Sequence, residues 1–140
     1  NDRKSISGYF LKLNSNIVFW RTIKPAVVAL SSSEAEYVAL SNCIAECLFL
    51  KQLLDDIFKF QIKPIIVYED NQLCIKIANT LETKRSKHID VKHHFIREYV
   101  HNGVIKILYI PTEQQCADIL TKALPLPKFQ YFRCSLGVIT

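Results

Sequence analysis

The chain has 140 residues, 49% of them hydrophobic, with three Gly, five Pro and a formal net charge of +5. That is enough apolar material for one domain with a real core, and too little Gly, Pro or repetition for a disordered or collagen-like chain. The longest apolar runs are interrupted by charges well short of the roughly 20 residues that cross a bilayer, and residues 1–15 lack a signal-peptide core, so the expectation is a soluble intracellular protein. Five Cys without a C-x-x-C pair read as reduced core thiols rather than a disulfide frame or a zinc site, and the mild basic excess points towards polyanionic partners such as nucleic acid.

Residues 1–8 are polar and read as a loop cut from something longer, in a chain that has no Met. Partial alternation from Tyr9 to Leu13, turn material at residues 14–16 and the strand-like Ile17-Val-Phe-Trp20 predict an antiparallel hairpin. Trp20, inside an apolar strand, is expected in the core rather than stacked on a base.

Ser31-Ser-Ser-Glu-Ala-Glu-Tyr37 opens the longest predicted helix, which runs to Phe58, with Ser33 and Glu36 at capping-box spacing. At about 100° per residue, Glu36 falls on the stripe of Leu40, Cys43, Ile44, Cys47, Leu54 and Phe58, so a carboxylate is aimed at packed material. A buried charge needs a donor, a basic partner or a metal ion, and folding back onto the amide of Ser33 would serve equally. Val38, Ala45 and Phe49 form a second apolar stripe with Glu34 at its margin, which leaves the choice of acid open.

Ile65-Ile-Val-Tyr68 is a short unbroken apolar run, expected as a strand covered on both faces. Alternation places Asp70 on the face of Ile66 and Tyr68 and Glu69 on the opposite one. An acid at a strand's carboxyl tip is a candidate ligand, although Asp70 or Asn71 would also cap the helix predicted over Gln72–Asn79. Residues 83–97 carry a local charge of +4 and run into a set of four His between positions 88 and 101, a candidate phosphate-binding surface. The spacing of His88, His93 and His94 does not repeat on one helix face, which argues against zinc. Val104 to Ile110 is a further predicted strand. Thr112 and Gln115 are placed to cap a helix buried through Cys116, Ile119, Leu120 and Ala123, with Asp118 off that stripe. Pro125 and Pro127 open a last amphipathic segment with Phe129, Phe132 and Leu136.

In this order Asp2-Arg-Lys-Ser with Ser7-Gly-Tyr9, Ser31-Ser-Ser-Glu-Ala-Glu-Tyr37, Tyr68-Glu-Asp-Asn-Gln72, Lys87-His-Ile-Asp90 with His94-Phe-Ile-Arg-Glu98, and Ile110-Pro-Thr-Glu113 with Ala117-Asp-Ile-Leu-Thr-Lys122 closely resemble the ribonuclease H domain of copia-type LTR retrotransposon polyproteins. The resemblance covers essentially the whole chain. It implies an α/β, ribonuclease H-like mixed sheet flanked by helices, a single domain over residues 1–140 with a helical tail at 125–140, and hydrolysis of the RNA strand of RNA–DNA hybrids. It implies that Glu36, Asp70 and Asp118 are the catalytic, metal-binding acids for two Mg²⁺ ions, with Mn²⁺ as a substitute, and that Glu34 and Glu69 lie elsewhere. Hard cations of this kind take oxygen ligands and keep waters, leaving positions for substrate phosphate. Lys84, Arg85, Lys87, His88, Lys92 and Arg97 are the expected nucleic-acid contacts, gripping the hybrid by shape and phosphates. The expected partners are the hybrid and an upstream reverse transcriptase domain, in a cytoplasmic virus-like particle or the nucleus.

One departure matters. The family carries a further catalytic Asp on a first strand upstream of the Arg-Lys-Ser segment, which this sequence starts too late to contain. The expectation is therefore a trimmed domain that lacks this strand and is impaired alone, the alternative being a non-catalytic nucleic-acid-binding relic of the fold.

Overall fold

The computed structural model describes residues 6–24, 32–59, 64–80 and 94–138, Ser32 by its backbone alone. The hairpin forms as β1 (Ser7–Leu13) and β2 (Asn16–Ile23), paired antiparallel from Ser7 opposite Ile23 to Leu13 opposite Asn16, with a bulge between Leu11 and Lys12. Asn14 and Ser15 both take positive φ, 49° and 66°, the pattern of a hairpin turn whose twist suits the flanking strands. Tyr9 and Leu11 turn inward and are buried, whereas Trp20, opposite Phe10, is 66% exposed. The expected core position of Trp20 is thus corrected: alternation, with Phe19 packed inward beside Tyr9, sends the next residue to the other face.

Helix α1 (Ser32–Phe58) carries the core. Tyr37, Leu40 and Ile44 join Val67, Ile77, Ile96, Ile105 and Ile107 in one buried cluster, while Cys43 and Cys47 join Tyr9 and Leu11 in a second. The helix is long and apolar enough to pass for a membrane span by composition, which the interrupted-run criterion did not register; here its apolar stripe packs against both strand pairs. The stripe fades towards the end, where Phe58 is exposed along with Phe49 of the second stripe. Because the helix starts at Ser32, Ser33 lies inside it and is not its cap.

β3 (Ile65–Glu69) pairs in parallel with β4 (Ile105–Tyr109), from Ile65 opposite Ile105 to Glu69 opposite Tyr109. Among the described residues one face of β3 is covered and the other is not: Val67 and Glu69 are buried, Ile66 and Tyr68 exposed. The expectation of a strand covered on both faces fails because an apolar run does not reveal how many layers pack on it. α2 (Gln72–Asn79) and α3 (Ile96–His101) flank this pair, and Arg97 Nε donates to the Ile77 carbonyl at 3.1 Å to join them.

The predicted helix after Pro111 is instead two 3₁₀ turns, Thr112–Gln114 and Cys116–Leu120. Gln115 between them is extended, with ψ 93°, so the i→i−4 ladder cannot run through, and Thr112 makes no side-chain cap. α4 (Leu126–Ser135) follows with a Pro in its first turn, burying Phe132 and Leu136. Among the described residues the fold is therefore α/β with four helices, but the expected single mixed sheet is divided: β1–β2 and β3–β4 are separate two-stranded sheets.

Candidate active site

A cavity of about 550 Å³ lies where the two sheets fail to meet. Residues of β1 and β3 line it, α1 contributes Leu40, Cys43, Cys47 and Leu54, and Glu36, Asp70 and Asp118 line it too. Each acid arrives by a different route. Glu36 sits in the second turn of α1. Asp70 follows the carboxyl end of β3, and Asp118 stands in the 3₁₀ turn beyond the carboxyl end of β4, the end where open α/β sheets place their crevices.

Local hydrogen bonds hold each element in place. The Asn71 side chain caps α2, accepting from the backbone N–H groups of Leu73 at 3.0 Å and Cys74 at 3.1 Å. Asn71, not Asp70, thereby caps the helix. Cys74 Sγ donates to the Ser33 carbonyl at 3.2 Å, fastening α2 to the first turn of α1. The turn bearing Asp118 is tied to β2 by Thr22 Oγ1, which donates to the Leu120 carbonyl at 3.2 Å. It also presses on β1 at Gly8, where an added Cβ would stand 2.9 Å from Thr121 Cγ2 and 3.0 Å from Leu120 Cβ. A side chain there would push the turn away, so glycine is what allows the approach.

The electrostatics record the convergence. The Glu36 carboxyl is raised above its usual range, first by burial and then by the charges of Asp70 and Asp118, with Lys122 acting in the opposite sense. Like charges and desolvation both favour the protonated form. Lys122 Nζ lies 3.0 Å from Asp118 Oδ2. That oxygen is buried without a hydrogen-bond donor aligned on it, so the ammonium neutralises it by proximity alone. The spacing of Lys122, four residues after Asp118, was a readable signal that sequence reasoning passed over.

Glu69 was also set aside, as an acid facing away. Glu69 is instead a buried residue, 6% exposed, whose carboxyl accepts from the Asn71 backbone N–H at 2.9 Å and feels both Glu36 and Asp70. Burial is the main cause that pushes it up to about 8. Alternation held for Glu69, which shares the covered face with Val67 while Ile66 and Tyr68 are exposed. It failed for Asp70, because β3 ends at Glu69 and Asp70 sits in a bend, so the two acids are not sent to opposite sides.

The donor set suits a hard divalent cation in kind: three carboxylates, one oxygen of which is buried without a donor. It is not a closed ligand shell. Among the described residues no group of three or more His, Cys, Asp or Glu side chains stands close enough to hold one ion together. Lys84, Arg85, Lys87, His88 and Lys92 lie outside the described residues, as does His93. His94, at the end of that stretch, has Nδ1 3.3 Å from the hydroxyl of buried Tyr37, the neighbour of Glu36 in the chain. All five Cys are free thiols.

Fold and cavity together define an α/β protein with an acidic pocket at the carboxyl ends of a parallel strand pair. The chain is 37% identical over 139 residues to the retrovirus-related Pol polyprotein from transposon TNT 1-94 of Nicotiana tabacum, and 34% identical over 142 residues to that from transposon RE1 of Arabidopsis thaliana, with 99% of the chain covered in both. The Ty1-DR5 Gag-Pol polyprotein of Saccharomyces cerevisiae is 27% identical over 128 residues, 91% of the chain. Its homologues are thus Pol polyproteins of copia-type retrotransposons. The chain spans about a tenth of the length of these relatives, 10% of the two plant proteins and 7% of the yeast one. No protein-family model matches the chain, and no solved structure matches it.

Proposed function

We propose that the chain is the ribonuclease H portion of a copia-type retrotransposon Pol polyprotein, and that Glu36, Asp70 and Asp118 are the acids around which the RNA strand of an RNA–DNA hybrid is hydrolysed. The observation that carries this reading is the arrival of three acids, 34 and 48 residues apart in sequence, at one cavity lined by β1, β3 and α1. Two Mg²⁺ ions, when bound, would supply an activated water and stabilise the leaving 3′ oxygen. The chain's own part is to present hard oxygen ligands on three separately anchored elements. The basic stretch supports the reading as well: Lys84, Arg85, Lys87, His88, Lys92 and Arg97 would neutralise backbone phosphates, and His94, the first described residue after Lys92 and His93, lies against Tyr37, the chain neighbour of Glu36.

The strand that the resemblance implies would seat in this cavity. Among the described residues β1 and β3 each pair with a single strand, and both line the cavity together with α1. An extended segment seated there would join the two pairs into one mixed five-stranded sheet and bring its own Asp to the acidic end. The open ligand shell favours a second reading, in which the chain is a hybrid-binding relic without turnover.

The test is cleavage of an RNA–DNA hybrid by this chain carrying, ahead of Asn1, the residues encoded upstream of it. Mg²⁺-dependent cutting of the RNA strand that Asp70→Asn abolishes is the expected result. Hybrid binding without cleavage would overturn the catalytic reading in favour of the relic.

A further inference from the structure

Three lysines line the cavity, and two are engaged away from its acids. Lys51 Nζ pairs with Asp55 Oδ2 at 2.6 Å, and Lys12 Nζ donates to the Ser135 carbonyl at 3.1 Å. The third, Lys122, has one of the three site acids as its partner, with Nζ 3.0 Å from Asp118 Oδ2. Its backbone is fixed, because the Lys122 N–H donates to the Asp118 carbonyl at 3.2 Å and the Thr121 N–H to the same carbonyl at 3.1 Å. Its side chain is not: Lys122 is 52% exposed while that of Asp118 is 14% exposed, and no hydrogen bond aligns on the buried oxygen. Such a half-exposed ion pair is weak and is readily exchanged for a stronger cation. Lys122 is also the one basic group among the described residues that opposes the raised carboxyl of Glu36.

We propose that Lys122 is the site's resident counter-cation, which neutralises Asp118 in the absence of a divalent ion, yields that carboxylate when one binds, and then places its ammonium on a backbone phosphate of the hybrid. This rests on the acid-site reading above. It explains how three acids share a cavity without a closed ligand shell: a lysine supplies part of the positive charge that the cluster needs. It also makes Lys122 a substrate contact at the site itself, separate from the basic stretch at 84–97. The competing explanation is a surface ion pair at i,i+4 spacing with no part in binding.

The experiment uses the full 140-residue chain as wild type, Lys122→Met, Lys122→Arg and Asp70→Asn. Mn²⁺ binding is followed by titration calorimetry without nucleic acid, and the salt dependence of RNA–DNA hybrid affinity by stopped-flow anisotropy in Mn²⁺, before turnover. Removing the competing ammonium should tighten Mn²⁺ binding by about two- to tenfold in Lys122→Met. The slope of log affinity against log salt should fall by about one unit in Lys122→Met and recover in Lys122→Arg. A Lys122→Met protein with unchanged or weaker Mn²⁺ affinity, or with an unchanged salt slope, overturns the proposal. The two readings separate in Asp70→Asn. If that variant binds Mn²⁺ as the wild type does, the acid-site reading falls and takes Lys122 with it. Lost Mn²⁺ binding in Asp70→Asn, combined with an inert Lys122→Met, refutes the role of Lys122 alone.

Discussion

Glu69 offers a sharp test of the electrostatics because its replacement by Gln keeps the shape and the acceptor for the Asn71 N–H while removing the charge. The folded protein holds this carboxyl at about 8 against an ordinary value of 4.5, chiefly through burial. Between those pH values the folded state binds more protons than the unfolded state, so the contribution of Glu69 to stability falls as pH rises and is lowest above about 8. A shift from 4.5 to about 8, at about 1.4 kcal/mol per unit, corresponds to an upper bound of about 5 kcal/mol. Part of it is shared with Glu36 and Asp70, whose charges also act on Glu69. The raised Glu36 adds to the wild-type decline in the same direction. Urea unfolding at pH 5, 7 and 9 reads this directly. Wild-type stability should decline across the series, whereas Glu69→Gln should decline far less, nearly matching the wild type at pH 5 and exceeding it by several kcal/mol at pH 9. A wild-type stability that is flat or rising from pH 5 to 9, or a Gln variant with the same slope, would refute the reasoning.

Three further expectations follow from the same geometry. Mg²⁺ or Mn²⁺ at about 100 times its dissociation constant should stabilise the wild type by roughly 2.7 kcal/mol and leave Asp70→Asn unmoved, as read from melting temperature. Asn71→Ala removes the acceptor for the Leu73 and Cys74 amides and should cost about 1 kcal/mol in denaturant unfolding. Gly8→Ala drives a Cβ to 2.9 Å from Thr121 Cγ2 and 3.0 Å from Leu120 Cβ. It should cost about 1–3 kcal/mol and, by shifting the turn that bears Asp118, weaken Mn²⁺ affinity as well.

Local signals set α1 and α2 correctly. Their apolar periodicity, the serine run at which α1 opens and Asn71 before α2 act over a few residues, and such effects are readable without the rest of the fold. The hairpin was legible for the same reason, through Asn14-Ser-Asn16. What failed depended on layers and on chain direction. Ile66, Tyr68 and Trp20 are apolar but exposed, because composition does not say which sheet face another element covers. The segment around Asp118 has helical periodicity, yet the extended backbone at Gln115 divides it into 3₁₀ turns. Glu69 was wrongly set apart from Asp70 because alternation was continued one residue past the end of β3, to Asp70. The three acids were proposed through motif resemblance; periodicity had left Glu34 against Glu36 open and had given no reason to prefer Asp118. The cavity that gathers them is a tertiary product of two strand pairs and one helix, and no single stretch of sequence encodes it.

The central claim concerns the chemistry of that cavity, and anomalous diffraction from crystals of the chain soaked in Mn²⁺ addresses it most directly. The account predicts a manganese peak at the acidic end, with carboxylate oxygens of Asp70 and of Glu36 or Asp118 within about 2.5 Å of it, and Lys122 moved off Asp118. A peak bound elsewhere with all three carboxylates unligated, or no peak in the cavity at saturating Mn²⁺, would contradict it.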